Sequence, residues 1–225
     1  MYTARVLPKR VYLTTILHLA LAGLLLMCSY SLYAGDGNDV EVTELGGVYQ
    51  INASVVINAE AEYVHQVLVD FVHIYRLNPS IIESEVLPVD EPGTARVRTR
   101  VLGCAGYFCQ ELERVEKVRE LPSGDLIADV VPEKSDFRSG RTVWHIDALG
   151  ERTRIVYDSK LEPDFFIPPV IGKFMAKKSI HTEITTSFQN LEKIANVLAE
   201  RDWITDFTLS SRLSATHTPC DLATR

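Results

Sequence analysis

The side chains able to do chemistry are few and widely spaced. Of the six histidines, His65 and His73 lie eight residues apart, a spacing that does not reliably put two metal ligands on one helix face. His145 follows Trp144 in an alternating segment, so the two point to opposite faces. His181 falls beside the apolar positions of a helical segment and is the histidine placed to border a cavity. Asp70 and Asp158 are the carboxylates nearest apolar sequence, and general acid–base work needs such a group beside a reacting atom. Asp70 reads better as a local cap or pairing partner near a helix end. The chain carries no Gly-rich phosphate loop, His-Glu-x-x-His or Gly-x-Ser-x-Gly, so the sequence assigns no catalytic residue, no metal site and no cofactor.

Of the four cysteines, Cys28 lies in the amino-terminal apolar segment and Cys220 near the carboxyl end. Cys104 and Cys109 bracket Ala105-Gly106-Tyr107-Phe108 between two strand patterns. A four-residue hairpin loop there sets the two cysteines opposite each other. Opposed strand residues are ~4.5–5.5 Å apart between Cα atoms, within the ~4.4–6.8 Å that a disulfide accepts. A metal would need two more ligands, and no other Cys or His is near in sequence. The Cys-x-x-Cys spacing of redox sites is absent. A Cys104–Cys109 disulfide is therefore expected if the compartment is oxidising.

The compartment is read from the first residues. Arg5, Lys9 and Arg10 precede an apolar run from Val11 to about Met27, then small and polar residues to Ala34, and no acidic residue occurs before Asp36. That order is the layout of a secretory signal peptide, with cleavage expected after Ala34. The alternative is a retained membrane anchor, since about 17 apolar residues is the lower limit for a span. Lipid attachment at Cys28 fits poorly because bulky Met27 precedes it. Either way the expected location of the rest is periplasmic. Without residues 1–34, which hold three basic and no acidic residues, the net charge of −7 becomes −10. Such an acidic chain is unsuited to binding nucleic acid through phosphate neutralisation.

Positioning elements follow from periodicity. Residues 35–46 read as a flexible lead-in, 47–201 as one domain and 202–225 as a disordered tail. Tyr49–Ile57 alternates as a strand. Asn58 is placed to cap a helix whose apolar positions are Val64, Leu68, Phe71, Val72 and Tyr75, ending before Pro79. From Ile81 the period becomes two, through Ile81–Val89, Thr94–Leu102, Phe108–Leu121, Leu126–Val131, Phe137–Leu149 and Thr153–Leu161. Arg96, Arg98 and Arg100 share one face of their strand, with Glu111 and Glu113 across from them, which reads as a solvated sheet face. A long helix from Val170 to Arg201 closes the chain, its stripe running through Ile171, Phe174, Ile184, Phe188, Leu191, Ala195 and Leu198. The expected fold is α+β, six to seven curved antiparallel strands with a long carboxyl-terminal helix.

Four stretches carry a resemblance to a known family. They are Val55-Val56-Ile57-Asn58-Ala59-Glu60-Ala61-Glu62; Val67 through Ser80, containing Asp70-Phe71-Val72-His73-Ile74-Tyr75; Trp144-His145-Ile146 with Thr153-Arg154-Ile155-Val156-Tyr157; and the Pro-rich lead into the final helix. Over roughly residues 47–200 the chain resembles the START-type, or helix-grip, superfamily of polyketide cyclases and lipid transfer proteins. The Asp70–Tyr75 stretch is similar to the coenzyme Q-binding and ribosome-association toxin subgroup, here in an exported version. The resemblance implies a cavity between sheet and helix that holds a hydrophobic small molecule of the lipid, quinone or isoprenoid class. Its implied lining is Phe71 and Tyr75 from the first helix and Val97, Val101 and Phe108 from the first strand pair. Trp144, Ile146 and Tyr157 add to it from the last pair, and Ile171, Phe174 and His181 from the closing helix. Tyr75, Tyr157 or His181 would supply a polar contact. Membrane contact is expected only through the amino-terminal segment or transiently during ligand exchange. The alternatives are a cyclase- or hydrolase-type enzyme using a cavity His or carboxylate, and an interaction module with a filled core.

Overall fold

The computed structural model describes residues 38–89, 91–105, 108–167 and 171–215. The side chains of 105, 108, 171 and 203–215 lie outside that description, as do the expected signal peptide and residues 216–225. Eight strands run in the order β1 (Asp39–Leu45), β2 (Val48–Ile57), β3 (Ile81–Leu87), β4 (Thr94–Ala105), β5 (Phe108–Glu120), β6 (Leu126–Val130), β7 (Phe137–Leu149) and β8 (Arg152–Pro163). Helix α1 (Ala61–Val69) and a 3-10 turn (Phe71–Arg76) separate β2 from β3, and helix α2 (Ile171–Ala215) closes the chain. All neighbours pair antiparallel in one sheet of spatial order β1-β2-β8-β7-β6-β5-β4-β3. Helix α2 touches β1 and β2 at one side and β4 at the other, so the sheet curves around it. This is the helix-grip fold, with eight strands where six to seven were expected.

The additional strand is β1. Residues 39–45 are no flexible lead-in: they pair with β2 from Asp39↔Ser54 to Leu45↔Val48. Val40 and Val42 pack on the core while Asp39, Glu41 and Thr43 face solvent. Gly46 and Gly47 turn the chain with φ of 63° and 94°, a left-handed geometry that glycine adopts without Cβ strain. Two further expectations change. Asn58 does not cap α1, whose N-cap is Glu60; instead the Asn58 backbone N–H and side chain both donate to Glu192 Oε2 on α2. The closing helix also continues past Asp202 to Ala215.

The main core joins β2, β8, α1 and the middle of α2. Ile51, Ile57, Val64, Ile155, Leu191 and Ala195 are all within 1% of complete burial. A smaller core of Val97, Val118 and Ala128 lies beside it, covered by Phe71 and Ala95. On the outer face, the arginine row is the solvated face that alternation predicts. Arg98 Nε meets Glu85 at 2.9 Å and Arg100 Nη1 meets Glu111 at 3.3 Å, exposed pairs of ~0–1 kcal/mol each.

Cys104 and Cys109 are opposed in the β4–β5 register and joined as a disulfide, their Cα atoms 4.1 Å apart. The loop it closes is short, so its entropic contribution is small. Replacing both cysteines with serine is expected to lower stability by at most about 2 kcal/mol, read from urea denaturation. A much larger loss would mean that the bridge organises more than its own hairpin tip.

Candidate ligand-binding site

One end of the sheet is not filled. A mainly apolar cavity of about 270 Å³ lies between the first half of α2 and the sheet. Its walls come from the start of β2 (Tyr49, Ile51), the ends of β4 and β5 (Val101, Gly103, Cys104, Gln110, Leu112, Arg114) and β7 and β8 (Phe137, Trp144, Tyr157, Leu161, Pro163). Ile74, Leu77, Asn78 and Ile81 close one side, and Phe165, Phe166 and Ile167 the approach to α2. From α2 itself come Ala176, Ser179, Ile180, Glu183, Ile184 and Ser187. Lys173 in the first turns of α2 holds Glu44 of β1 at 2.8 Å, and Asn190 donates to the Leu77 carbonyl at 3.0 Å. These contacts fix the helix on both sides of the void.

The floor is aromatic. Trp144 meets Tyr157 edge-to-face with ring centroids 4.6 Å apart, and Phe188 meets them at 6.0 and 6.2 Å. Beyond this cluster α2 is packed solid through Leu191 and Ala195. Tyr157 is buried among polar neighbours. Burial pushes its phenol up, against hydrogen bonds from Ser159 and Thr142 that act the other way. The Thr142 and Ser159 hydroxyls are themselves 2.8 Å apart.

Of the expected lining residues, Val101, Trp144 and Tyr157 border this cavity. The side chains of Phe108 and Ile171 lie outside the described residues. Phe71 and Val97 belong to the small core instead, and Ile146 packs on the main core. Tyr75 is 43% exposed and stands edge-on to His73. The reason is a change of helix type. Helix α1 stops at Val69 and the 3-10 turn resets the phase, so Leu68, Phe71, Ile74 and Leu77 face inward at every third residue. Phe174, 66% exposed, and His181, exposed, lie on the outer flank of α2. At about 100° per residue, both fall well off the line through Ile180, Ile184 and Leu191.

Neither histidine nor aspartate named as a possible catalyst lies in the cavity. His181 faces solvent, and Asp70 holds the His73 ring at 2.8 Å, the local pairing that its position suggested. His145 is on the other face of β7, 3.1 Å from Asp125. The polar groups that do line the void went unread in the sequence: Glu183, Arg114, Asn78, Ser179 and Tyr49. Ser179 Oγ donates to Glu183 Oε1 at 3.3 Å, and Ser80 and Asn78 also bond the carboxyl. Arg114 is ion-paired through Nε to Glu116 at 3.1 Å, and Glu116 is buried.

Burial raises the Glu183 carboxyl above its ordinary 4.5, and the hydrogen bonds from Ser80, Ser179 and Asn78 and the Arg114 charge only partly oppose this. A raised carboxyl binds its proton more tightly in the folded than in the unfolded chain. Its contribution to stability is therefore complete below the unfolded value and is lost as pH rises through the folded value. Glu183→Gln should remove that fall in melting temperature as pH rises above about 4.5, and an unchanged profile would refute the assignment.

The amino-acid pattern of the family described as polyketide cyclase / dehydrase and lipid transport matches residues 49–196, more than half of the chain. The chain belongs to this family. No curated protein matches it in sequence. Among solved structures it is similar to the Zhui aromatase/cyclase from Streptomyces sp. R1128, at 16% identity, covering 66% of this chain and 94% of that one, with a TM-score of 0.55. It is also similar to a START superfamily protein from Mycobacterium smegmatis, at 18% identity over 64% and 98% of the two chains, TM-score 0.53. A STAR-related lipid transfer protein from Xanthomonas axonopodis aligns at 14% identity over 72% and 99%, TM-score 0.53. At these identities the likeness is one of fold. Family membership sets the domain's type, and the void beside α2 is where this member departs from a packed interior.

Proposed function

We propose that this domain binds and carries a hydrophobic small molecule, of the lipid, quinone or isoprenoid class, in the cavity between α2 and the sheet. The observation that carries the reading is the void itself, walled by Ile51, Val101, Leu112, Leu161, Ile180 and Ile184 and floored by the Trp144 cluster. Affinity comes from apolar ligand area removed from water, at ~25 cal/mol per Å². Residues 1–34 support a place of action outside the cytosol, with membrane contact through that segment or transiently during exchange. An enzyme of the cyclase type is the second reading. Glu183 favours it, being a carboxyl with a raised proton affinity on the wall of a mainly apolar void.

The test is lipid extraction and mass spectrometry of the protein purified from its native envelope. A ubiquinone titration runs beside it, read by Trp144 fluorescence with the second tryptophan, Trp203, changed to phenylalanine. A co-purified apolar molecule, or saturable quenching, is the expected result. No lipid and no fluorescence change with any apolar ligand would defeat the carrier reading.

A further inference from the structure

The cavity is not uniformly apolar, and the arrangement of its polar groups restricts what the head of a ligand can be. We propose that Glu183 is the head-group contact of the cavity and that the ligand it recognises is an uncharged amphiphile ending in a hydroxyl or carbonyl oxygen, not a carboxylate or an amine. This inference rests on the binding reading above and narrows it.

Three observations lead to it. First, Glu183 projects from α2 among Ile180, Ile184 and Ser187, all lining the same void, so its carboxyl meets whatever occupies that space. Ser179 from its own helix and Asn78 and Ser80 from the segment before β3 hold it in place. Asn78 is in turn fixed by accepting the Ser80 backbone N–H at 2.8 Å. Second, the one cation in the lining, Arg114, is already paired with Glu116 at 3.1 Å. With Glu183 protonated, the Arg114, Glu116 and Glu183 cluster is neutral, and with Glu183 ionised it is negative. A ligand carboxylate would therefore enter without a spare positive charge and lose its hydration with no compensation. An ammonium would need Glu183 ionised, and burying both charges costs more than their attraction readily returns. A hydroxyl or carbonyl has neither difficulty, since a neutral carboxyl both donates and accepts. Third, Tyr49 is 3% exposed and lines the void, yet its hydroxyl has no hydrogen-bond partner among the described residues. A buried hydroxyl left unpaired is costly, and a small shift of the Tyr49 ring toward the void would let a ligand oxygen pair with it.

The experiment compares three ligands of one chain length at neutral pH: 1-decanol, decanoate and decylammonium. Each is titrated against the full chain carrying Trp203→Phe and followed by Trp144 fluorescence. Decanol is expected to bind about tenfold more tightly than either ion. Glu183→Leu should cost decanol about tenfold, whereas Glu183→Gln, which keeps donor and acceptor, should stay within about threefold. Equal or tighter binding of decanoate or decylammonium to the unchanged protein would overturn the inference, and that comparison does not depend on any variant folding. Decanol affinity unaltered by Glu183→Leu would overturn it as well. If the three bind equally, the head-group contact fails while the carrier reading stands; if none binds and the ubiquinone titration is also flat, with no lipid co-purified, both fail.

Discussion

Replacing Ala176 with tryptophan is expected to abolish ligand uptake while leaving the fold intact. Ala176 lies on the α2 face that looks into the void of about 270 Å³, so an indole there occupies the space a ligand needs. Displacing about 100 Å² of ligand contact at ~25 cal/mol per Å² removes about 2.5 kcal/mol, close to a hundredfold in affinity. Overpacking of a filled core costs ~1–3 kcal/mol, but here the new ring enters empty volume. The melting temperature should therefore hold within a few degrees. Val197→Trp, on an exposed part of the same helix, is the control and should leave binding unchanged. The measurement is the lipid extraction and mass spectrometry used above, since an added indole would mask the Trp144 signal, and ligand retained by Ala176→Trp would place it elsewhere.

Replacing Leu191 with alanine should give the largest loss of stability of any single substitution considered. Leu191 is 1% exposed and belongs to the core shared by α1, α2, β2 and β8. Its side chain is packed among core neighbours, so its removal leaves a cavity that they refill only in part. About 3 kcal/mol is expected, or roughly 6–12 °C in melting temperature for a domain of this size. A loss under about 1 kcal/mol would mean that the middle of α2 is not what anchors the helix to the sheet.

The sheet was largely legible because alternation is a local signal. Val97, Thr99 and Val101 turn inward and Arg96, Arg98 and Arg100 outward as their spacing requires. β1 was not legible. Its inward apolar side chains are only Val40 and Val42, set between acidic residues that are depleted in strands. Pairing with β2 supplies what its own sequence lacks.

The helices misled where a stripe was extended across a break. Reading α1 onward to Tyr75 assumed one period, and the 3-10 turn substituted Ile74 and Leu77 for the expected Tyr75. In α2 the apolar side chain of Phe174 drew the stripe off line. The true line passes through small and polar residues, Ala176, Ser179, Glu183 and Ser187. That feature is itself a signal: spacings of three and four link Glu183 to Ser179, Ile180 and Ser187, and a carboxylate among them is on the boundary of a buried face. Glu183 was passed over because acids on long helices usually face water.

The aromatic floor has a consequence for motion along α2. One continuous rod is bolted at its middle by Phe188 and Leu191, while its leading turns border empty space and rest on a few tethers such as Lys173 to Glu44. Amide exchange should then be uneven along a single uninterrupted helix, quick before Phe188 and slow just after it. A guest that fills the void should quieten the leading turns alone and leave the turns after Phe188 unchanged.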